Sequence, residues 1–369
     1  MTMNTGKTIP KQRNANMDIL RIVSMLLIIF LHSIDHSGVL EAAVPGTWMY
    51  YYVYFGYYLS QVCVNCFVLL SGYFMIESKF RPSKLISLWL EVVFYSLIIR
   101  IIFFITGQKA FSIVSLFSCF LPVMTGRYWF ITIYFGLYLI SPFLNIAIKA
   151  MTKIQFTALN VVLFLLFSVW NSLYPSMAGM NSGGGWGLAW FVVLYCAAAW
   201  FRLYRENDDK YTWQGILMFS VIPVCVTILL WIANTMNIGI VQRIIHHWYS
   251  YNAVPAYLMS LGLLDFFIHV KVKNQLISKL ATKIAPLTLG VYLIHAHADV
   301  SPWMWETLNM PQYMVNWAFP LVQIGVTVGI FGVCVLIDWI REIFFRVFKI
   351  ECISRRVDAF IINRMGIDR

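Results

Sequence analysis

The stretch Asp18-Ile-Leu-Arg21-Ile-Val-Ser-Met-Leu-Leu-Ile-Ile-Phe-Leu-His32 lies within an apolar run over residues 17–34, yet it carries an arginine and a histidine. Ionisable side chains inside a membrane span are costly, so each one marks a functional site by default. At 3.6 residues per turn, the spacing of Arg21 and His32 is about three turns. Both side chains are therefore predicted to leave one face of the helix, roughly 16 Å apart along its axis. One belongs near a membrane surface and the other well across the bilayer. Such a pair suits an enzyme that takes a group from one side and uses it toward the other.

Working outward, the whole chain has the same character. Of 369 residues, 60% are hydrophobic and 12% charged, with a mean hydropathy of +0.73. Soluble domains carry about 25% charged residues. The apolar residues fall in blocks of about 20, the length a helix needs to cross the hydrocarbon. Short alternating strands are absent, which argues against an outer-membrane barrel. The fold class expected is all-α: a polytopic membrane helical bundle of about ten transmembrane helices. The spans are predicted at 17–34, 50–76, 85–106, 128–148, 156–173, 188–201, 215–234, 252–270, 284–300 and 316–341. The apolar stretch Phe111–Met124 is too brief to cross and is read as re-entrant or interfacial. One membrane domain covers 1–369, divided into an N-terminus (1–16), the bundle (17–341) and a basic amphipathic tail (342–369).

The net charge of +11 is distributed in a way that excludes nucleic acid as partner. The N-terminus (Lys7, Lys11, Arg13), alternate loops (Lys79, Arg81 and Lys84; Lys149 and Lys153; Arg202, Arg205 and Lys210; Lys271, Lys273, Lys279 and Lys283) and the tail hold most of the basic residues. The opposite loops hold only Lys109, Arg127 and Arg243. This is positive-inside asymmetry, which predicts both termini in the cytoplasm. The tail is expected on the anionic inner leaflet, with membrane lipids as its partner. The first span has no small-residue cleavage site after it and is read as retained. Cys63-Val-Asn-Cys66 has apolar neighbours and no second pair to answer it, so no metal site is expected and the thiols are read as buried hydrophobes. Asn181-Ser-Gly-Gly-Gly-Trp-Gly187 lacks the Lys-Ser/Thr of a phosphate loop and reads as a flexible connector.

Topology converts sequence position into depth. An inner layer would combine Arg21 with Ser71 and Gly72, with Lys79, Arg81 and Lys84 at its mouth. Cations beside small residues suit a phosphorylated cytoplasmic ligand. An outer layer would combine His32, Asn65, Arg100, His295 and Trp129. A histidine with a nearby acid can act as general base, and a cation or second imidazole can stabilise an oxyanion. Asp35, about one turn from His32, is a candidate to orient its ring. Asp18 is placed to pair with Arg21. Asp265, Glu91 and Asp338 fit helix packing as readily as chemistry, and His246 and His247 fall in an outer loop.

These residues resemble those of the integral-membrane acyltransferase family (type 3), whose members move short acyl groups from acyl-CoA to sugars and surface polysaccharides. Asp18-x-x-Arg21-x10-His32 looks like its first-helix signature. Cys66-Phe-Val-Leu-Leu-Ser-Gly-Tyr73 is similar to its second-helix run ending in Ser-Gly-aromatic. Tyr128-Trp-Phe130 with Leu137-Tyr-Leu-Ile-Ser-Pro142 resembles its fourth-span pattern, and Leu289-Gly-Val-Tyr-Leu-Ile-His295 its late segment. Cys66 stands where the family often has an aromatic, and no hydrolase-like domain follows the bundle, so the acyl group would pass directly to the acceptor or to a separate protein.

The resemblance implies a membrane O-acyltransferase with acetyl-CoA as donor substrate, no permanently bound cofactor, and a sugar of a cell-surface or exopolysaccharide as acceptor. His32 and Arg21 would be catalytic. Arg21, Ser71, Gly72, Arg81 and Lys84 would hold the donor, and Arg100, Arg127, Trp129, His295 and Asn65 the substrate. A bacterial plasma membrane and polysaccharide-assembly partners are expected. The rival reading is a transporter or flippase for a polysaccharide precursor or small molecule, since buried charges also mark transport pathways. The absence of inverted halves stands against it.

Overall fold

In a computed structural model of the chain, residues 14–110, 112–174, 178–205, 212–350, 352–354, 356–358 and 360 are described, without the side chains of 178–181 and 212. Lys7, Lys11, Arg13 and Lys210, on which part of the charge asymmetry rests, lie outside the described residues, as do Arg355, Arg364 and Arg369 of the tail.

All the regular structure described is helical. Eight helices are long and apolar enough to cross a membrane. They are α1 (Ala15–Asp35), α2 (Trp48–Met75), α3 (Pro82–Ile105), α4 (Trp129–Ala150), α5 (Lys153–Leu173), α7 (Trp213–Thr235), α9 (Gln275–His295) and α10 (Phe319–Val347). Two shorter apolar helices, α6 (Leu188–Tyr204) and α8 (Val254–His269), occupy the places of the sixth and eighth predicted spans. Between α3 and α4, Ile113–Phe120 forms a helix of eight residues. At 1.5 Å per residue it spans about 12 Å, far short of the hydrocarbon.

Local chemistry sets the boundaries. Asn14 caps α1 by accepting from the Asn16 amide at 3.1 Å, and Pro82 opens α3 where no amide partner is needed. Thr152 and Gln155 form a reciprocal capping box on α5. Pro286 removes a backbone donor from α9, which tightens to a 3-10 turn over Ala285–Leu287. The tail departs from expectation. Helix α10 continues past 341 to Val347, and Asp358 folds back to accept from the Ser83 amide and hydroxyl at 3.0 and 2.9 Å. That carboxylate supplies the cap that α3 lacks, at the end where the helix dipole favours negative charge.

Helix α2 is the axis of the bundle: 72% of its apolar window is buried, against 17% for α10. Its second half packs on α1, α6 and α8, while α3, α4, α5, α7 and α10 present most of their surface outward. In lipid the hydrophobic effect cannot pull helices together, so close approach of small residues and polar contacts do so. A Cβ on Gly72 would lie 3.0 Å from the Tyr195 backbone and the Ala198 side chain, which is how α2 reaches α6. Polar knots tie distant segments. Arg341 bonds both oxygens of Asp338 at 2.9 and 2.8 Å and approaches Glu91 at 3.1 Å, while the Tyr95 hydroxyl donates to Asp338 at 2.6 Å. Asp265 accepts from Arg205 at 2.8 and 3.1 Å. The three carboxylates left open by the sequence, Asp265, Glu91 and Asp338, therefore join helices rather than face the site.

Candidate active site

A cavity of about 480 Å3 runs between α1, α2, α4 and α9, and both Arg21 and His32 line it. The three-turn spacing read from the sequence is realised as one wall of one cavity. Helices α1 and α9 lie side by side, so His295 reaches the level of His32 and the 3-10 turn at Ala285 and Pro286 reaches the level of Arg21.

At the Arg21 end, the guanidinium meets the buried Asp18 carboxylate at 3.0 Å while its side chain keeps 28% exposure. Pairing and access thus coexist in one residue. Ser71 also lines the cavity and donates back to the Phe67 carbonyl at 2.9 Å. Tyr134 of α4 stands beside both Ser71 and Arg21. Gly72, the next residue, faces α6 instead and acts through packing. Arg81 and Lys84 are exposed and do not line the cavity. The Arg81 backbone is held by the Tyr138 hydroxyl, which accepts from its amide and donates to its carbonyl, both at 3.2 Å.

At the other end three imidazoles gather. The ring centre of His32 lies 5.2 Å from that of His295 and 4.5 Å from that of His36. His295 Nδ1 sits 2.6 Å from the Val291 carbonyl. A carbonyl can only accept, so Nδ1 carries the proton in neutral His295 and its Nε2 is left as an acceptor. That Nε2 is buried without a partner, and so is His32 Nδ1. The two rings lie side by side with no bond between these nitrogens, and with Nδ1 buried, Nε2 is the His32 nitrogen left to meet a substrate in the cavity. Asp35 does not take the orienting role read from the sequence: its carboxylate lies 3.8 Å from His36 Nε2, and among the described residues it makes no hydrogen bond to His32.

Two further substrate candidates are diverted. The Nη1 of Arg100 donates to both oxygens of Asp299 at 3.1 and 3.2 Å, outside the cavity lining. Asn65 is fully buried in a knot, donating to the Tyr251 carbonyl at 2.8 Å and Ser260 at 3.2 Å and accepting from the Trp190 indole at 3.0 Å. Arg127 and Trp129 do line the cavity. The Arg127 Nη2 donates to Ser118 at 3.2 Å, and its Nη1 is buried without a partner. Cys63 and Cys66 are free and buried, and among the described residues no group of three metal-binding side chains occurs.

The sequence reading missed Tyr134, Trp186 and Tyr251 as lining residues. Trp186 was hidden in a loop read as a flexible connector, whereas the loop is pinned by the bonds described below. Burial holds the Tyr251 phenol well above its usual range, so it stays neutral. Burial also lowers His246 and His247, outside the cavity; the His246 ring packs 5.4 Å from Tyr54 and 5.5 Å from Tyr249.

A bundle cavity with a guanidinium at one end and an imidazole cluster at the other fits group transfer through a membrane. Comparison with protein families decides the class: an acyltransferase domain of type 3 matches residues 14–339, nearly the whole chain. The chain belongs to the acyltransferase 3 family. It is a membrane acyltransferase, and the matched region holds every residue of the cavity. Comparison with curated proteins and with solved structures gives no match.

Proposed function

We propose that this acyltransferase 3 protein moves an acetyl or other short acyl group from cytoplasmic acyl-CoA to a sugar hydroxyl of a surface polysaccharide or its precursor. The single observation that carries this reading is the cavity of about 480 Å3 that Arg21 and His32 share. The basic loops support an orientation with the Arg21 end at the cytoplasm and both termini inside, in a ten-span reading; the membrane proposed is the bacterial plasma membrane. Arg21 then faces the phosphate-bearing donor, and Arg81 and Lys84 contribute to the field at the mouth rather than to the wall. The acyl arm passes Ser71 and Tyr134 toward His32. There His32 Nε2 takes the proton of the acceptor hydroxyl, the oxygen forms the new bond to the thioester carbonyl carbon, and CoA leaves as the thiol once the proton is returned to sulfur. His295, its ring centre 5.2 Å from that of His32, is the polar side chain beside the imidazolium as it forms. Lipids surround the bundle, and polysaccharide-assembly proteins would supply or remove the acceptor.

The test is acetyl-CoA turnover by the purified chain beside His32→Ala and Arg21→Ala. Loss of a general base costs about 10²–10⁴ in rate. His32→Ala is expected to stay folded and lose activity on that scale, while Arg21→Ala chiefly raises the donor KM. A wild-type protein that neither binds nor consumes any short acyl-CoA would return the cavity to the transporter reading, since a flippase has no reason to cleave a thioester.

A further inference from the structure

The loop that the sequence marks as a connector is a tightly specified turn. Ser182, Gly183, Gly184 and Gly185 all adopt positive φ, at 49°, 62°, 71° and 92°. The turn is closed by the Gly187 amide on the Ser182 carbonyl at 3.0 Å and joined to the next loop by the Tyr251 amide on the Gly184 carbonyl, also at 3.0 Å. The Trp190 amide donates to the Ser182 hydroxyl at 3.3 Å. A Cβ on Gly185 would come within 2.8 Å of the Tyr251 side chain and 2.9 Å of the Asn252 amide, so only glycine fits.

The product of this construction is the position of Trp186. One indole face stacks on Trp129, with ring centres 4.4 Å apart and planes 28° from parallel, and Tyr251 backs the pair at 6.0 Å. Trp186 nevertheless keeps 49% exposure and lines the cavity that His32 lines. A tryptophan of the membrane belt faces lipid from the perimeter; this one is held on two other cavity-lining rings. Trp129, the residue singled out in the sequence, has a face covered by it. The same cavity is lined by Arg127, with its buried unpartnered Nη1, and by Asp35 and His36.

We infer that the open face of Trp186 is the acceptor subsite, on which a pyranose ring stacks so that its hydroxyl edge turns toward Arg127 and His32. A flat apolar face rimmed by hydrogen-bonding groups matches a sugar: the axial C–H face meets the electron-rich indole, and the equatorial hydroxyls meet the polar rim. The inference rests on the acyltransferase reading for its role in transfer, while the binding event is independent of it.

The experiment uses the full chain in detergent, with methyl β-D-glucopyranoside, methyl β-D-galactopyranoside and the methyl glycoside of N-acetylglucosamine as probes. Saturation-transfer NMR reads which sugar protons touch the protein. In the wild type at least one glycoside should receive saturation on the C–H protons of a single face. Trp186→Ala should weaken that glycoside about tenfold, the scale of one aromatic contact, and Trp186→Phe should restore part of it. In the transfer assay the same change should appear in the acceptor KM, with the acetyl-CoA KM unmoved. Saturation that is equal in wild type and Trp186→Ala, or absent for every glycoside in the wild type, overturns the subsite. If glycoside binding is lost with Trp186 but acetyl-CoA is never consumed, the subsite stands and the acyltransferase chemistry proposed for this cavity fails.

Discussion

At the scale of single residues, the ionisable groups inside the bundle divide by whether they are already neutralised. His32, His295 and Arg127 each keep a buried nitrogen without a partner; His32 and Arg127 line the cavity, and His295 packs against His32 without lining it. Arg100 is the contrast. Its guanidinium and Asp299 are both largely buried, at 16% and 9% exposure, and are satisfied by each other. Removing one member leaves the other charge stranded, which costs roughly 3–5 kcal/mol. Arg100→Ala or Asp299→Ala should therefore lower the thermal unfolding midpoint in detergent, and the double variant should recover much of the loss. An Arg100→Ala protein of unchanged stability but impaired acceptor KM would restore Arg100 to the substrate site.

At the scale of elements, α2 sets both the packing and the geometry of the cavity. Two adjacent residues on it do different work: Ser71 turns to the cavity, while Gly72 lets α6 approach to backbone contact. Overpacking a tight contact costs about 1–3 kcal/mol, and here the atoms met at 3.0 Å are the Ala198 Cβ and the Tyr195 backbone, which cannot swing aside. Gly72→Val should thus destabilise the protein by that amount in a detergent unfolding series, and Gly72→Ala by less. Activity should follow stability, because Gly72 does not itself line the cavity. A Gly72→Val protein of full stability that had lost donor affinity would show a direct binding role instead.

At the scale of the molecule, the most buried helix, α2, shares the site wall with α1, α4 and α9, while α3, α5, α7 and α10 present most of their surface outward. The topology proposed from the charges is open to direct measurement. In a background with the exposed Cys225 and Cys352 replaced by serine, single cysteines at Lys79, Lys149 and Lys271 should react with an impermeant thiol reagent only from the cytoplasmic side. Cysteines at Lys109 and Arg243 should react from the opposite side. Labelling of Lys109 and Lys79 from one side would break the third span, and the assignment of the Arg21 end to the cytoplasm would fall with it.

The sequence by itself determined the class of the protein, the place of the long helices, and the two ends of the cavity. Hydropathy and helical period act locally, so Arg21 and His32 could be put on one face before anything was known of their neighbours. Depth counting put Ser71 beside Arg21 and His295 beside His32, because a helix in a bilayer has a nearly fixed rise and direction. Tertiary structure alone decided which polar residues remain available. Asp299 captures Arg100 from 199 residues away, and Trp190, Tyr251 and Ser260 absorb Asn65 from segments more than a hundred residues distant. The loop carrying Trp186 reads as flexible because its glycines are permissive, and it is fixed by a Tyr251 amide that no local pattern foretells. Partner choice in a low-dielectric interior depends on which distant group arrives within hydrogen-bond reach, and that is a property of the packed bundle.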